Sequence, residues 1–354
     1  MPSKGAPAQL RDDGGTAAGS PEHSGGQARG TGGNGTAGRF RPRFGGKFGG
    51  KFGGKRRDTG NDGITPYLLL LPALAATAIF LVYPAIREIL ISFQRLNAFE
   101  LIQHVTEWNG FQNYQTILSS SDFWHSVERS VLFTAVNVFL IMVLGSLVGL
   151  LLNRLGSKMR FVLSLALVFA WAMPVLAGTT VFQWLFDQNY GVVDWLLSQL
   201  GWKSMAHYDW LNSQFSAFTV IALLLVWQSI PFVAFNLYAG LTTISTELYE
   251  AARLDGADAW RIFRSVIFPI LKPFFLSTTF LEIIWIFGAL PQVLAISGGG
   301  PQGSTATLPV YAYLVGVGQQ SYGMGAAVAV VTIVMLCLMM SYYFRIILKQ
   351  EDEL

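Results

Sequence analysis

Few residues in this 354-residue chain combine type and spacing in a way that could do chemistry. Glu282 is the one acidic residue deep inside an apolar run. A carboxylate there is costly and normally faces a bundle interior or water. Trp285, Ala289 and Gln292 follow it at i+3, i+7 and i+10, so one helix face can carry all four. Carboxylate, indole and amide suit a hydroxyl-rich solute, which needs hydrogen-bonding groups and aromatic faces in an apolar shaft. Gln183 with Trp184, and Trp227 with Gln228, offer the same chemistry in two further runs, either facing a passage or pairing with neighbouring helices. Gly45–Lys51 fits the first seven positions of a phosphate-binding loop. Phe52, however, stands where Ser or Thr must hold magnesium, and no strand precedes it, so the match is read as chance within a Gly/Lys repeat. The four histidines are scattered and Cys337 is alone, so no metal-ligand spacing and no intrachain disulfide arises. The chain is expected to catalyse nothing, hold no metal and bind no nucleic acid; Cys337 reads as a small packing residue.

The elements that must position these groups are apolar. Apolar residues make up 52% and charged residues only 13%, against about 25% charged in soluble domains. The bilayer explains that depletion. Six runs reach the length of about 20 residues that a spanning helix needs: Tyr67–Ser92, Val127–Leu152, Phe161–Phe186, Phe215–Leu241, Phe274–Ile296 and Met324–Leu348. The predicted fold is therefore an all-α membrane protein with six transmembrane helices in residues 66–354. Residues 1–65 are rich in Gly, Arg and Lys and almost lack aliphatic residues, which predicts a disordered basic tail whose end rests on anionic lipid.

Loop charges orient the bundle. With the tail cytoplasmic, the inside segments carry Arg154, Lys158, Arg160, Arg253, Arg261, Arg264, Lys272, Arg345 and Lys349, whereas the outside loops contain only Arg95 and Lys203, with Arg87 and Arg129 near span ends. Both termini are expected inside. The outside loops hold Trp108, Trp124, Trp195, Trp202 and Trp210, open to two readings: an aromatic belt at the interface, or walls of a vestibule.

The inside segment 243–273 is unlike an ordinary connection. Strong helix formers precede Gly256 and an amphipathic stretch follows it. Gly256 sits where a first helix closes in the left-handed conformation, and Asp258 is placed to cap a second. The result is a helix–turn–helix elbow, and its Ala251 and Ala252 allow another protein to approach closely.

Glu250-Ala251-Ala252, three residues, Gly256, nine residues and Val266-Ile267-Phe268-Pro269 resemble the EAA loop of the permease subunits of binding-protein-dependent ABC importers. Val266 and Phe268 replace the usual Ile and Leu. The resemblance implies that Glu250, Ala251, Ala252, Asp255, Gly256 and Pro269 dock on a cytoplasmic ATPase. ATP and magnesium would then be bound by that partner, leaving no cofactor in this chain. It also implies two different, homologous permeases, two ATPase subunits and an extracytoplasmic sugar-binding protein, in a bacterial inner or plasma membrane. Gly110–Tyr114 is similar to a G-x-x-N-Y/F motif of sugar permeases, and Phe186–Leu200 to their outside segment after the third span. Ser297-Gly298-Gly299-Gly300-Pro301 with Thr305, Thr307 and Tyr311 looks like the signature of disaccharide and oligosaccharide permeases, with Ser297 for the usual Thr. The family's substrate contacts align with Glu282, Trp285, Ile286 and Ala289; Ala289 departs from the Asn or Ser common there. A secondary transporter would leave the elbow unexplained.

Overall fold

The computed structural model describes residues 65–105 and 107–351. The predicted tail, except for Thr65, and the Gly45–Lys51 stretch lie outside the described residues. Helix α1 (Tyr67–Ser92) leads to a two-residue hairpin, β1 (Gln94–Arg95) against β2 (Glu107–Trp108), pairing Gln94 with Trp108. Helix α2 (Ala98–Gln103) lies between the strands, and α3 (Gln112–Ser119) follows them. Then come α4 (Ser121–Arg154), α5 (Ser157–Ala172), α6 (Val175–Leu185), α7 (Val192–Gln199) and α8 (Gln214–Thr242). The elbow is α9 (Thr246–Leu254) and the start of α10 (Ala259–Phe287). The chain closes with α11 (Leu290–Ser297), α12 (Leu308–Gly318) and α13 (Tyr322–Glu351).

Helices α1, α4, α8, α10 and α13 are each long and apolar enough to cross a membrane; α5 and α6 reach that length and apolarity only as a pair, bent by 100°. The bend has a local cause. Pro174 lacks an N–H and disfavours helical geometry in the residue before it, and Met173 is extended at φ −67°, ψ 126°. Two other prolines are accommodated differently. Widened π turns at Ala78–Val82 and Phe263–Ile267 precede Pro84 and Pro269, relieving the clash each ring would make with the carbonyl four residues back.

The predicted fifth span, Phe274–Ile296, is corrected. Its helix begins at Ala259, inside the elbow, and stops at Phe287; Gly288 and Ala289 (ψ 63°) break it, and α11 restarts with Pro291 in its first turn. The four-residue face from Glu282 to Gln292 is thus divided between two helices. Cys337, read as a packing residue, lies exposed on α13.

Helices α4 and α8 form the centre of the bundle. A Cβ at Gly145 would fall 2.6 Å from that of Val233, and one at Gly149 3.0 Å from Ala234 O, so only glycine lets the backbones meet this closely. Ile141, Val220, Ile221, Leu224, Val233, Ile286, Val293 and Val310 fill the core around that seam. Helix α1 contributes none of its apolar window to any such core.

Candidate functional site

Where α8 faces the bend between α5 and α6 and the break between α10 and α11, the chain leaves a cavity of about 340 Å³. Both walls exist because a helix fails there. Pro174 turns α6 away and leaves Trp171 and Met173 at the opening, while the Gly288 break lets Trp285, Ala289 and Gln292 converge although they no longer share a helix. Helix α8 supplies Leu225, Gln228 and Ser229. Gln292 Oε1 is buried without a hydrogen-bond partner, so an acceptor on this wall awaits a donor; a buried acceptor left unmade costs about 1–3 kcal/mol.

The structure therefore brings together Gln228, Trp285, Ile286, Ala289 and Gln292, and leaves Glu282, Gln183, Trp184 and Trp227 outside the lining. Glu282 is fully buried and neither of its carboxylate oxygens has a hydrogen-bond partner. Gln183 holds the cavity wall from behind: its Nε2 donates to Ala295 O of α11 at 2.7 Å. Trp184 is exposed. Trp227 points about 100° around α8 from Gln228 and packs on Phe182, with ring centroids 5.8 Å apart. Trp171, Met173 and Ser229 were missed by sequence reasoning; Pro174 inside an apolar run was the available signal for the first two.

The glycine-rich stretch after α11 is a stitched turn. Ser297 Oγ lies 2.8 Å from Thr305 Oγ1, which donates to Gly300 O at 2.7 Å. Two residues of α4, also missed from sequence, bind the turn to the bundle. Arg129 Nη1 donates to Gly303 O, and Ser130 Oγ accepts the Leu308 N–H at 2.6 Å, capping α12. The segment between α6 and α8 is tied down by Asp194, a buried carboxylate that accepts from Trp210 Nε1 at 2.6 Å and Tyr208 N at 2.8 Å.

At the other end of the bundle, Gly256 closes α9 at φ +74°, and Asp258 Oδ1 accepts the Arg261 N–H at 2.8 Å. Glu250, Ala251, Asp255, Gly256 and Pro269 are exposed and Ala252 is half-buried. Leu254 is 89% exposed and Trp260 68%, an apolar pair unusual on a surface this charged. Beneath them Tyr249, Val266, Ile267 and Ile270 pack on Leu241, Ile244 and Leu271, fixing the elbow to the helices. Burial pushes the Tyr249 phenol above its ordinary value. Among the described residues, the charged groups of the elbow make no ion pair with one another. Its apolar tip and its free charges are both available to a partner.

Residues 141–349, from within α4 to the end of the bundle, match the model of the binding-protein-dependent transport system inner membrane component. The chain belongs to that family. The permease is 60% identical to the diacetylchitobiose uptake system permease protein DasB of Streptomyces coelicolor, over 82% of this chain and 88% of the relative. It is 32% identical to the trehalose/maltose transport system permease protein MalF of Thermococcus litoralis, over 79% of this chain and 92% of the relative. Its fold matches a chain in the crystal structure of a bacterial ABC transporter involved in the import of the acidic polysaccharide alginate, with a TM-score of 0.68 at 18% identity, covering 79% of this chain and 94% of that one. It is a multi-pass membrane protein with the fold of an ABC importer permease.

Proposed function

We propose that this permease forms half of the passage through which an ABC importer moves a short oligosaccharide, of the N-acetylated disaccharide kind, into the cell. The carrying observation is the cavity itself. Two amides, Gln228 and Gln292, and two indoles, Trp171 and Trp285, converge where both neighbouring helices are broken. Amides match hydroxyl and acetamido groups, and indole faces match the C–H faces of pyranose rings. The 60% identity to a permease named for diacetylchitobiose uptake supports that choice of sugar.

The elbow is the site for a cytoplasmic ATPase, two copies of which hydrolyse ATP with magnesium. A homologous permease completes the passage, and an extracytoplasmic binding protein delivers the sugar. The excess of Lys and Arg in the segments that include the elbow supports a cytoplasmic elbow and two cytoplasmic termini.

Uptake of labelled N,N′-diacetylchitobiose by cells, with and without this permease, tests the reading. Uptake is expected to vanish on deletion and return with the wild-type chain. It is expected to stay absent with Glu250→Lys, whose complex no longer retains the ATPase on purification. Unchanged uptake after deletion overturns the sugar; unchanged ATPase retention and transport by Glu250→Lys overturn the docking role.

A further inference from the structure

One face of α8 continues past the cavity described above. Leu225, Gln228 and Ser229 line that cavity; Phe232, Phe235, Asn236 and Ala239 follow at three- and four-residue steps and so lie on the same face, one to three turns nearer the elbow. With Trp171 they line a second cavity of about 310 Å³. Trp171 belongs to both cavities, because it lies in the last turn of α5, just before the 100° bend. Phe232 marks the boundary from the other side, its ring edge-on to Trp285 at 5.4 Å.

The lining has a definite chemistry. Three aromatic rings surround a single amide, and Asn236 sits at the depth of the apolar helices, half-buried. An amide turned toward lipid tails forfeits its hydrogen bonds at a cost of about 1–3 kcal/mol. Facing a wet passage, it keeps them. Aromatic faces with an isolated amide are also what a pyranose ring carrying hydroxyl or acetamido groups requires, and the volume falls in the range of small-molecule sites, about 300–1,000 Å³.

We infer that the passage holds two sugar stations in series on α8, and that the second, built from Trp171, Phe232, Phe235 and Asn236, receives a pyranose unit on its way toward the elbow side. Trp171 serves both stations, so a ring leaving the first slides along an indole face already in contact with it. Asn236 replaces Gln228 as the hydrogen-bonding amide two turns further on. This rests on the functional reading above and adds where the sugar pauses after leaving the first cavity.

The experiment uses the whole importer, with Asn236→Cys introduced into a Cys337→Ser chain so that this permease carries one thiol. Inside-out vesicles without nucleotide are treated with a membrane-impermeant maleimide, with and without N,N′-diacetylchitobiose, and labelling of this chain is followed. The thiol is expected to react, and sugar at about four times its dissociation constant to slow it about fivefold by occupying the station. Asn236→Ala is expected to lower the maximal uptake rate in cells while leaving the half-saturating sugar concentration unchanged, and Asn236→Gln to restore part of the rate. A thiol reached only by a lipid-soluble maleimide overturns the inference, since Asn236 would then face lipid. Equal labelling with and without sugar, in an importer whose wild type takes up the sugar normally, overturns this station alone. Absence of wild-type uptake overturns the functional reading and the station together.

Discussion

Gly256 permits a test in which one quantity changes at a time. It closes α9 at φ +74°, and a Cβ built there would meet no atom within 4 Å. Replacement by alanine therefore removes no contact and creates no clash; the whole effect is the strain of holding an L-residue in the left-handed region, about 1–2 kcal/mol. That corresponds to a factor of about 5–30 in the ratio of native to non-native elbow. If docking requires this elbow, the affinity for the ATPase falls with the competent fraction, by up to the same factor where the non-native elbow comes to dominate. Valine, β-branched, is expected at or beyond the upper end. Asparagine visits the left-handed region readily and is expected to remain within about twofold of wild type. Purified membrane subunits carrying each substitution are titrated with the ATPase in detergent, and uptake is measured in parallel. The order Gly, Asn, Ala, Val is expected in both. Equal affinities for Asn, Ala and Val refute the reasoning, because they would show that backbone strain at this turn is not what the partner reads.

Three further outcomes follow from named contacts. Glu282→Met removes a fully buried carboxyl with no hydrogen-bond partner, so the melting temperature is expected to hold or rise while sugar uptake falls; wild-type uptake by the assembled variant removes Glu282 from the transport cycle. Gln183→Leu deletes the 2.7 Å bond to Ala295 O, worth about 1 kcal/mol, and is expected to speed hydrogen exchange of the α11 amides about fivefold, with slower uptake; unchanged exchange refutes the bracing role. Asp194→Ala leaves Trp210 Nε1 and Tyr208 N without their carboxylate. At about 1.5–3 kcal/mol for each such bond, hydrogen exchange in residues 206–212 is expected to approach that of an open loop, with Asp194→Asn intermediate.

What could be read from the sequence was local. The elbow turn depends on one backbone conformation and one capping carboxylate, and Gly256 and Asp258 announce both wherever they occur. Spanning lengths likewise follow from composition. The break at Gly288–Ala289 was illegible for the opposite reason: on both sides of the joint, the end of α10 and α11 are apolar on nearly every face, so no change of periodicity marks it, and a single glycine is common in such helices. Direction around a helix was equally hidden. Trp227 and Gln228 are sequence neighbours, yet only the packing of Phe182 decides that the indole joins the core and the amide the cavity. Gln183 found its partner 112 residues away, on a helix whose separate existence the sequence did not disclose.

Helix α10 runs unbroken from the elbow to the cavity, and its only irregularity, the π turn at Phe263–Ile267, lies near the elbow. From Ala259 to Trp285, at about 1.5 Å per residue, this is a rod about 40 Å long. Its joint, Gly288, comes just past Trp285. A tilt of about 5° imposed at Ala259 would displace the indole by about 3.5 Å over that length, enough to uncover or seal an aromatic contact. The chain thus carries a rod with the elbow at one end, an indole near the other and its joint just past that indole, so that a tilt at the elbow reaches Trp285 before the joint can absorb it.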